Sequence, residues 1–192
     1  MRAGRASSVS DLGDGTVLRT GGRPAIEAAI MEVARAGGYP VPAVIAVRDD
    51  GLVLERIEGP TMGEWLARHP WELARRAGEL AHLHHRLHRI GYEGERLVHF
   101  DLHPDNVLLS ASGPVVIDWT NAHAGDPEAD LAMTWLILAT SSGLPGRVMA
   151  WLFARSVGRE RLRRGLADAA AFRLWNPNVT PTEKERVRRA RL

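Results

Sequence analysis

Cysteine is absent from the 192 residues, which excludes disulfides and thiolate metal sites and fits work in a reducing cytoplasm. Lysine is almost absent too: of 25 basic residues only Lys184 is a lysine, and the rest are arginines. The first twenty residues hold no apolar stretch of the kind that directs secretion, so no export signal is expected. The longest apolar run, Leu131 to Ala139, is too short to span a bilayer and reads as a buried helix, so no membrane partner is expected. Aromatic residues are few at 6%, yet 45% hydrophobic and 25% charged residues suit an ordinary globular chain with a real core.

The net charge of +2 is unevenly spread. From Gly146 to Leu192 there are 12 basic and 4 acidic residues, giving +8, which leaves 13 basic and 19 acidic, or −6, in the first 145. No aromatic platform or nucleic-acid reader motif accompanies the arginines, so they read as a solvated helical face and no nucleic-acid partner is expected.

The informative stretch runs from Val98 to Trp119. Two β-prone apolar runs flank Ser110-Ala111-Ser112-Gly113, the pattern of a β-hairpin. With Ser110 opposite Gly113 or Pro114, Asn106 falls opposite Ile117 or Asp118, and opposed side chains sit about 4.5–5.5 Å apart at Cβ. An amide oxygen and a carboxylate at that spacing are hard ligands suited to Mg²⁺ together with water and nucleotide phosphates. Asp101 stands just outside the hairpin, where a carboxylate can accept the proton of an attacking hydroxyl.

His99-x-Asp101-x-His103-Pro104-x-Asn106, followed by Asp118-Trp119, resembles the catalytic loop and metal-binding segment of the aminoglycoside phosphotransferase and choline-kinase-like family, relatives of the protein kinases. Protein kinases carry Lys where His103 stands, which favours the small-molecule branch. The resemblance implies an α+β, two-lobed fold. A small and incomplete β-sheet lobe with one helix would cover residues 1–58, and a mainly helical catalytic and acceptor lobe residues 59–192. It also implies Asp101 and His103 as catalytic residues, Asn106 and Asp118 as metal ligands, and ATP and Mg²⁺ as cofactors.

Taken in order, Gly4 to Ser8 would be a remnant of the loop over the ATP phosphates. The Gly13-Asp14-Gly15 turn reads as a hairpin, and Pro24 to Ala36 as a helix with Ile26, Ile30, Val33 and Ala34 on its apolar stripe. In the kinase comparison Glu27, with Glu32 as second choice, pairs with the phosphate-anchoring base. With no lysine available, that base falls to Arg19. Ala43 to Val47 and Leu52 to Ile57 read as strands leading into a hinge whose backbone, at Glu55 and Ile57, would take the adenine.

Pro70 to Ile90 reads as one long helix carrying His82, His84, His85 and His88. His84 and His88 are four apart, but the glutamate of a zinc-protease helix is missing, so the cluster reads as structural. Asp126 caps a helix with Pro127 at its first position, and the family's counterpart of Asp130 braces the catalytic loop. Helices follow from about Arg147 to Val157, from Glu160 to Phe172, and finally from Thr182, with Thr182 as cap and Glu185 completing a capping box.

The leading function is an ATP- and Mg²⁺-dependent transfer of a phosphoryl group to a hydroxyl of a small molecule. A nucleotide-binding pseudokinase acting as a scaffold is the alternative, and a histidine-rich metal hydrolase is a third reading resting on the His cluster alone. The basic C-terminal segment points away from polycationic acceptors and towards a neutral or anionic hydroxylated metabolite.

Overall fold

The structure, a computed structural model, describes residues 8–141 and 143–192, so Gly4 to Ser7 of the expected phosphate loop lie outside the described residues. Strands β1 (Ser8–Asp11) and β2 (Thr16–Thr20) form the hairpin around Gly13-Asp14-Gly15. Helix α1 (Pro24–Ala36) follows, then β3 (Val44–Arg48) and β4 (Gly51–Glu55), and the four strands form an antiparallel sheet in the order β1-β2-β4-β3. The apolar stripe of α1 is rotated from the expected one. Glu27, Ala28, Ile30, Met31 and Ala34 are buried while Ile26 is 45% exposed, because the helix turns Glu27 inward to meet Arg19 on β2.

A short helix with no counterpart in the sequence reading, α2 (Met62–Arg68), opens on a capping box: Thr61 Oγ1 accepts from the Glu64 amide and the Glu64 carboxylate from the Thr61 amide. The expected helix over 70–90 is shorter. Pro70–Glu72 forms a 3₁₀ turn and α3 spans Leu73–Leu87, burying Ala77, Leu80, Leu83, His84 and Leu87 as the periodicity requires.

Strands β5 (Gly91–Tyr92) and β6 (Glu95–Val98) lead into the 99–119 stretch, β7 (Val107–Ser110) and β8 (Gly113–Val116) form its hairpin, and β9 (His123–Gly125) returns to pair with β6. Helix α4 (Pro127–Thr140), with Asp126 as N-cap and Pro127 in its first turn, buries ten of its 14 residues and is the central helix of the second lobe. Helices α5 (Leu144–Val157), α6 (Arg159–Trp175) and α7 (Pro181–Arg189) pack round it. The crossing of α6 over α4 depends on Gly165, where a Cβ would come within 2.1 Å of the Glu128 carbonyl. The cap of α7 is Thr180, with Pro181 in the first turn and the Glu183 amide donating to Thr180 Oγ1 at 3.2 Å, so the expected box at Thr182 and Glu185 does not form.

The lobes are tied through the backbone. The Val116 amide donates to the Pro40 carbonyl at 2.8 Å. Arg86 donates to the Gly38 carbonyl at 2.6 Å, and Tyr39 meets Trp119 edge to face at 5.7 Å. Among the described residues no helix is long and apolar enough to cross a membrane. The result is the α+β arrangement that the resemblance implies: a small antiparallel sheet with one helix, then a mainly helical lobe carrying the hairpin.

Candidate active site

The hairpin register is Ser110↔Gly113 through Val107↔Val116, and the Ile117 amide donates to the Asn106 carbonyl at 3.0 Å. Of the two expected registers this is the one that sets Asn106 against Ile117, with Asp118 the next residue. Phe100 and Asp118 both have φ of 61°, a left-handed conformation that costs a residue with a side chain about 1–3 kcal/mol and persists only where surroundings over-determine it.

Asp130 supplies much of that constraint. Its Oδ1 accepts from the Phe100 amide at 2.7 Å and its Oδ2 from the His99 amide at 3.4 Å, so the chain bends through the left-handed position with both donors satisfied. On its other side Asp130 Oδ2 meets His84 Nδ1 at 3.1 Å and His88 Nε2 at 2.7 Å. Burial would raise the Asp130 carboxyl, but the His84 and His88 rings outweigh it and hold the group well below the usual carboxylate range. His84 also reaches Thr134 Oγ1 at 2.8 Å, and that hydroxyl donates to the Leu102 carbonyl at 2.6 Å, which fixes the loop one residue beyond Asp101. His84 and His88 of the histidine cluster therefore back the 99–102 loop through Asp130, and His84, His88 and Asp130 have ligand atoms within 4.8 Å of one another.

His99 joins the two halves of the site. Fully buried, its Nε2 donates to the Ile117 carbonyl at 3.2 Å, and burial lowers its pKa to about 4, so the ring is neutral at pH 7. Asn106 donates its amide to the Asp101 carbonyl at 2.8 Å and towards Asp101 Oδ2 at 3.4 Å, which leaves its side-chain oxygen for a ligand. Asp101 keeps a quarter of its side chain exposed, and burial pushes its carboxyl up despite His103 and Arg173 nearby. His103 accepts the Asp105 amide on Nδ1 at 3.3 Å, so its Nε2 side faces Asp101 Oδ1 at 3.9 Å.

On the side facing the four-stranded sheet, Arg19 Nη1 bonds Glu27 Oε2 at 2.8 Å and Arg19 Nη2 bonds Asp118 Oδ1 at 2.7 Å, with Thr120 Oγ1 joining both Arg19 and Asp118. Glu27, rather than Glu32, is thus the partner of Arg19. Burial raises the Glu27 carboxyl in spite of that pairing. For Asp118 burial also pulls upward, but the Thr120 hydroxyl and the Arg19 charge prevail and the net shift is downward. Glu55 takes a local role, its amide donating to the Ala43 carbonyl at 2.9 Å and its carboxylate accepting the Ala43 amide at 3.1 Å. Ile57 lies two residues past β4 and is part-buried.

The donor set fits the cofactors it was expected to hold. Asp118 and the free oxygen of Asn106 are hard ligands suited to Mg²⁺. Arg19 presents a guanidinium where phosphates would be anchored, held by the buried Glu27. Residues that sequence reasoning missed are Thr120, Thr134, Arg173 and Glu183. For the first three no local pattern announces the contact.

Comparison with known proteins agrees with this geometry. The RIO domain family matches residues 25–133, more than half of the chain, and the phosphotransferase enzyme family matches residues 92–175. A probable serine/threonine-protein kinase BUD32 homolog of Archaeoglobus fulgidus is 33% identical over 97 residues, 50% of this chain and 44% of that protein, so the match spans less than half of that relative's length. Among solved structures, a thermostable mutant of aminoglycoside phosphotransferase APH(4)-Ia has the same fold with a TM-score of 0.72 at 17% identity, covering 98% of this chain and 92% of that one. A choline/ethanolamine kinase family protein from Mesorhizobium loti matches with a TM-score of 0.51 at 16% identity, covering 98% and 91%. The chain belongs to the RIO domain family, whose model matches more than half of it, and it shares its fold with an aminoglycoside phosphotransferase and a choline/ethanolamine kinase family protein.

Proposed function

We propose that this protein transfers the γ-phosphoryl group of ATP to a hydroxyl of a small molecule, with Asp101 as the base. The observation that carries this is the juxtaposition of Asp101, Asn106 and Asp118 on a loop braced by Asp130. Phosphoryl transfer asks mainly for positioning and charge stabilisation, and these residues are the parts it needs. Asp101, its carboxyl raised by burial, accepts the acceptor's proton. Asn106 and Asp118 hold Mg²⁺, which supplies neutralisation of the phosphate charge when bound. Arg19, steadied by Glu27, takes the phosphates, and the backbone near Glu55 and Ile57 takes the base. Residues 1–58 form the nucleotide lobe and 59–192 the catalytic lobe, working in the cytoplasm without nucleic acid or membrane.

A second reading, transfer to a serine or threonine hydroxyl of a protein, is favoured by the name of the archaeal relative. ADP formation with and without Mg²⁺, measured against sugars, amino alcohols, hydroxy acids, aminoglycosides and a protein substrate, separates the two. Turnover of a small hydroxylated compound is expected. Mg²⁺-ATP binding without turnover of any acceptor would favour the pseudokinase scaffold.

Two substitutions test the nucleotide side. Asp118→Ala is expected to remove the Mg²⁺-dependent part of ADP binding in calorimetry and leave the metal-free part, and equal binding curves for the two proteins would refute its metal role. Arg19→Ala is expected to raise the KM for ATP about tenfold or more, the scale of a lost charge-assisted bond, whereas unchanged ATP kinetics would place the phosphate anchor elsewhere.

A further inference from the structure

The +8 of the C-terminal segment bears on the acceptor through one residue. Arg161 and Arg164 pair with Glu128, Arg163 with Glu160, and Arg188 and Arg189 with Glu185, all on the surface. Arg173 is different. Its side chain is 15% exposed, and its Nη1 lies 4.0 Å from Asp101 Oδ1. That same oxygen faces His103 Nε2 at 3.9 Å from another direction. Both separations exceed hydrogen-bond length, so donors from α6 and from the catalytic loop converge on the base without closing on it.

The guanidinium is held in place rather than tethered loosely. Glu183 of α7 binds Nη2, and Glu183 sits on the first turn that Thr180 caps. The neighbouring Phe172 packs edge to face on Phe100 at 4.9 Å, which seats the end of α6 against the catalytic loop. Arg173 Nε is buried with no partner among the described residues, and a buried donor left unmatched is costly.

Glu183 takes Nη2 alone, so Nη1, beside the base, and the unmatched Nε are the groups left to meet an anion in the working complex. An acceptor bearing a negative group would be repelled by Asp101, and Arg173 cancels that repulsion and orients the group through its planar fork. We propose that Arg173 is the acceptor-recognition residue and that the acceptor carries a carboxylate or phosphate close to the hydroxyl that is phosphorylated. This rests on the phosphotransferase reading and narrows it to anionic hydroxylated compounds.

The test titrates the Mg²⁺-ADP-loaded full chain with glycerate and ribose 5-phosphate, each beside its uncharged counterpart, glycerol or ribose, by calorimetry. ADP formation from ATP is followed with the same compounds. Glycerate reports a carboxylate and ribose 5-phosphate a phosphate. The expected result is that at least one anion binds ten times or more tighter than its neutral counterpart. In Arg173→Gln that preference disappears and the acceptor KM rises about 10- to 100-fold, the range for a charged hydrogen bond, with the KM for ATP unchanged. Arg173→Lys, which keeps the charge without the fork, is expected to fall between and controls for folding. Neutral or cationic compounds binding as tightly as the anions, no anion binding at all, or a fall in kcat with the acceptor KM intact would each overturn the proposal. If Mg²⁺-ADP itself fails to bind, the phosphotransferase reading falls; if it binds and only neutral alcohols are phosphorylated, that reading stands and the anion assignment is wrong.

Discussion

Asp101→Asn is expected to lower turnover about 10²- to 10⁴-fold, the usual worth of a general base, while Mg²⁺-ATP affinity changes by less than about threefold. The asymmetry follows from geometry. Asp101 is held by Asn106 from the nucleotide side, but its Oδ1 faces His103 and Arg173 across a gap on the acceptor side. An asparagine keeps the shape and the contact with Asn106 and cannot take a proton. The native acid limb of turnover should lie above the ordinary carboxylate range, because burial raises the Asp101 carboxyl and activity is lost as pH falls through it. Single-turnover rates and nucleotide calorimetry on the folded variant check both parts, and near-native turnover would remove Asp101 from the mechanism.

Asp130→Ala is expected to cost at least about 3–5 kcal/mol of stability, a large share of the roughly 5–15 kcal/mol that a domain possesses. The carboxylate is wholly buried and meets two backbone amides and two histidines, so its removal leaves the Phe100 and His99 donors unmatched at a left-handed turn. Asp130→Asn keeps one acceptor for the Phe100 amide and should lose less. Urea midpoints and amide exchange at His99 and Phe100 report the two effects. A loss under about 1 kcal/mol in Asp130→Ala would mean that the loop is held by its other contacts, chiefly Thr134 to Leu102.

Local patterns carried the fold far. Hydrophobic alternation and Gly113 narrowed the β7–β8 pairing to two registers, and the one observed sets Asn106 beside Ile117, next to Asp118. The kinase resemblance named Arg19 and Glu27 as a pair, and the structure forms that ion pair between a strand and the helix that follows it. Contacts between distant segments were not legible. Nothing near His84 or His88 announces Asp130, 46 and 42 residues away, and nothing near Arg173 announces Asp101. The α2 start was available in Thr61-x-x-Glu64 and went unused. Ile26 was misplaced because an ion pair, which hydrophobic periodicity ignores, set the rotation of α1.

In protein kinases the helix bearing the glutamate is a moving part, and its position governs activation. Here the chain leaving α1 is anchored three times within three residues: the Gly38 carbonyl to Arg86, the Tyr39 ring to Trp119, and the Pro40 carbonyl to the Val116 amide. Trp119 directly follows Asp118, and Val116 closes the hairpin that presents it. Glu27 and Asp118 are therefore held in one body. Swinging this helix outward would break all three contacts, so such a motion would have to carry the hairpin with it.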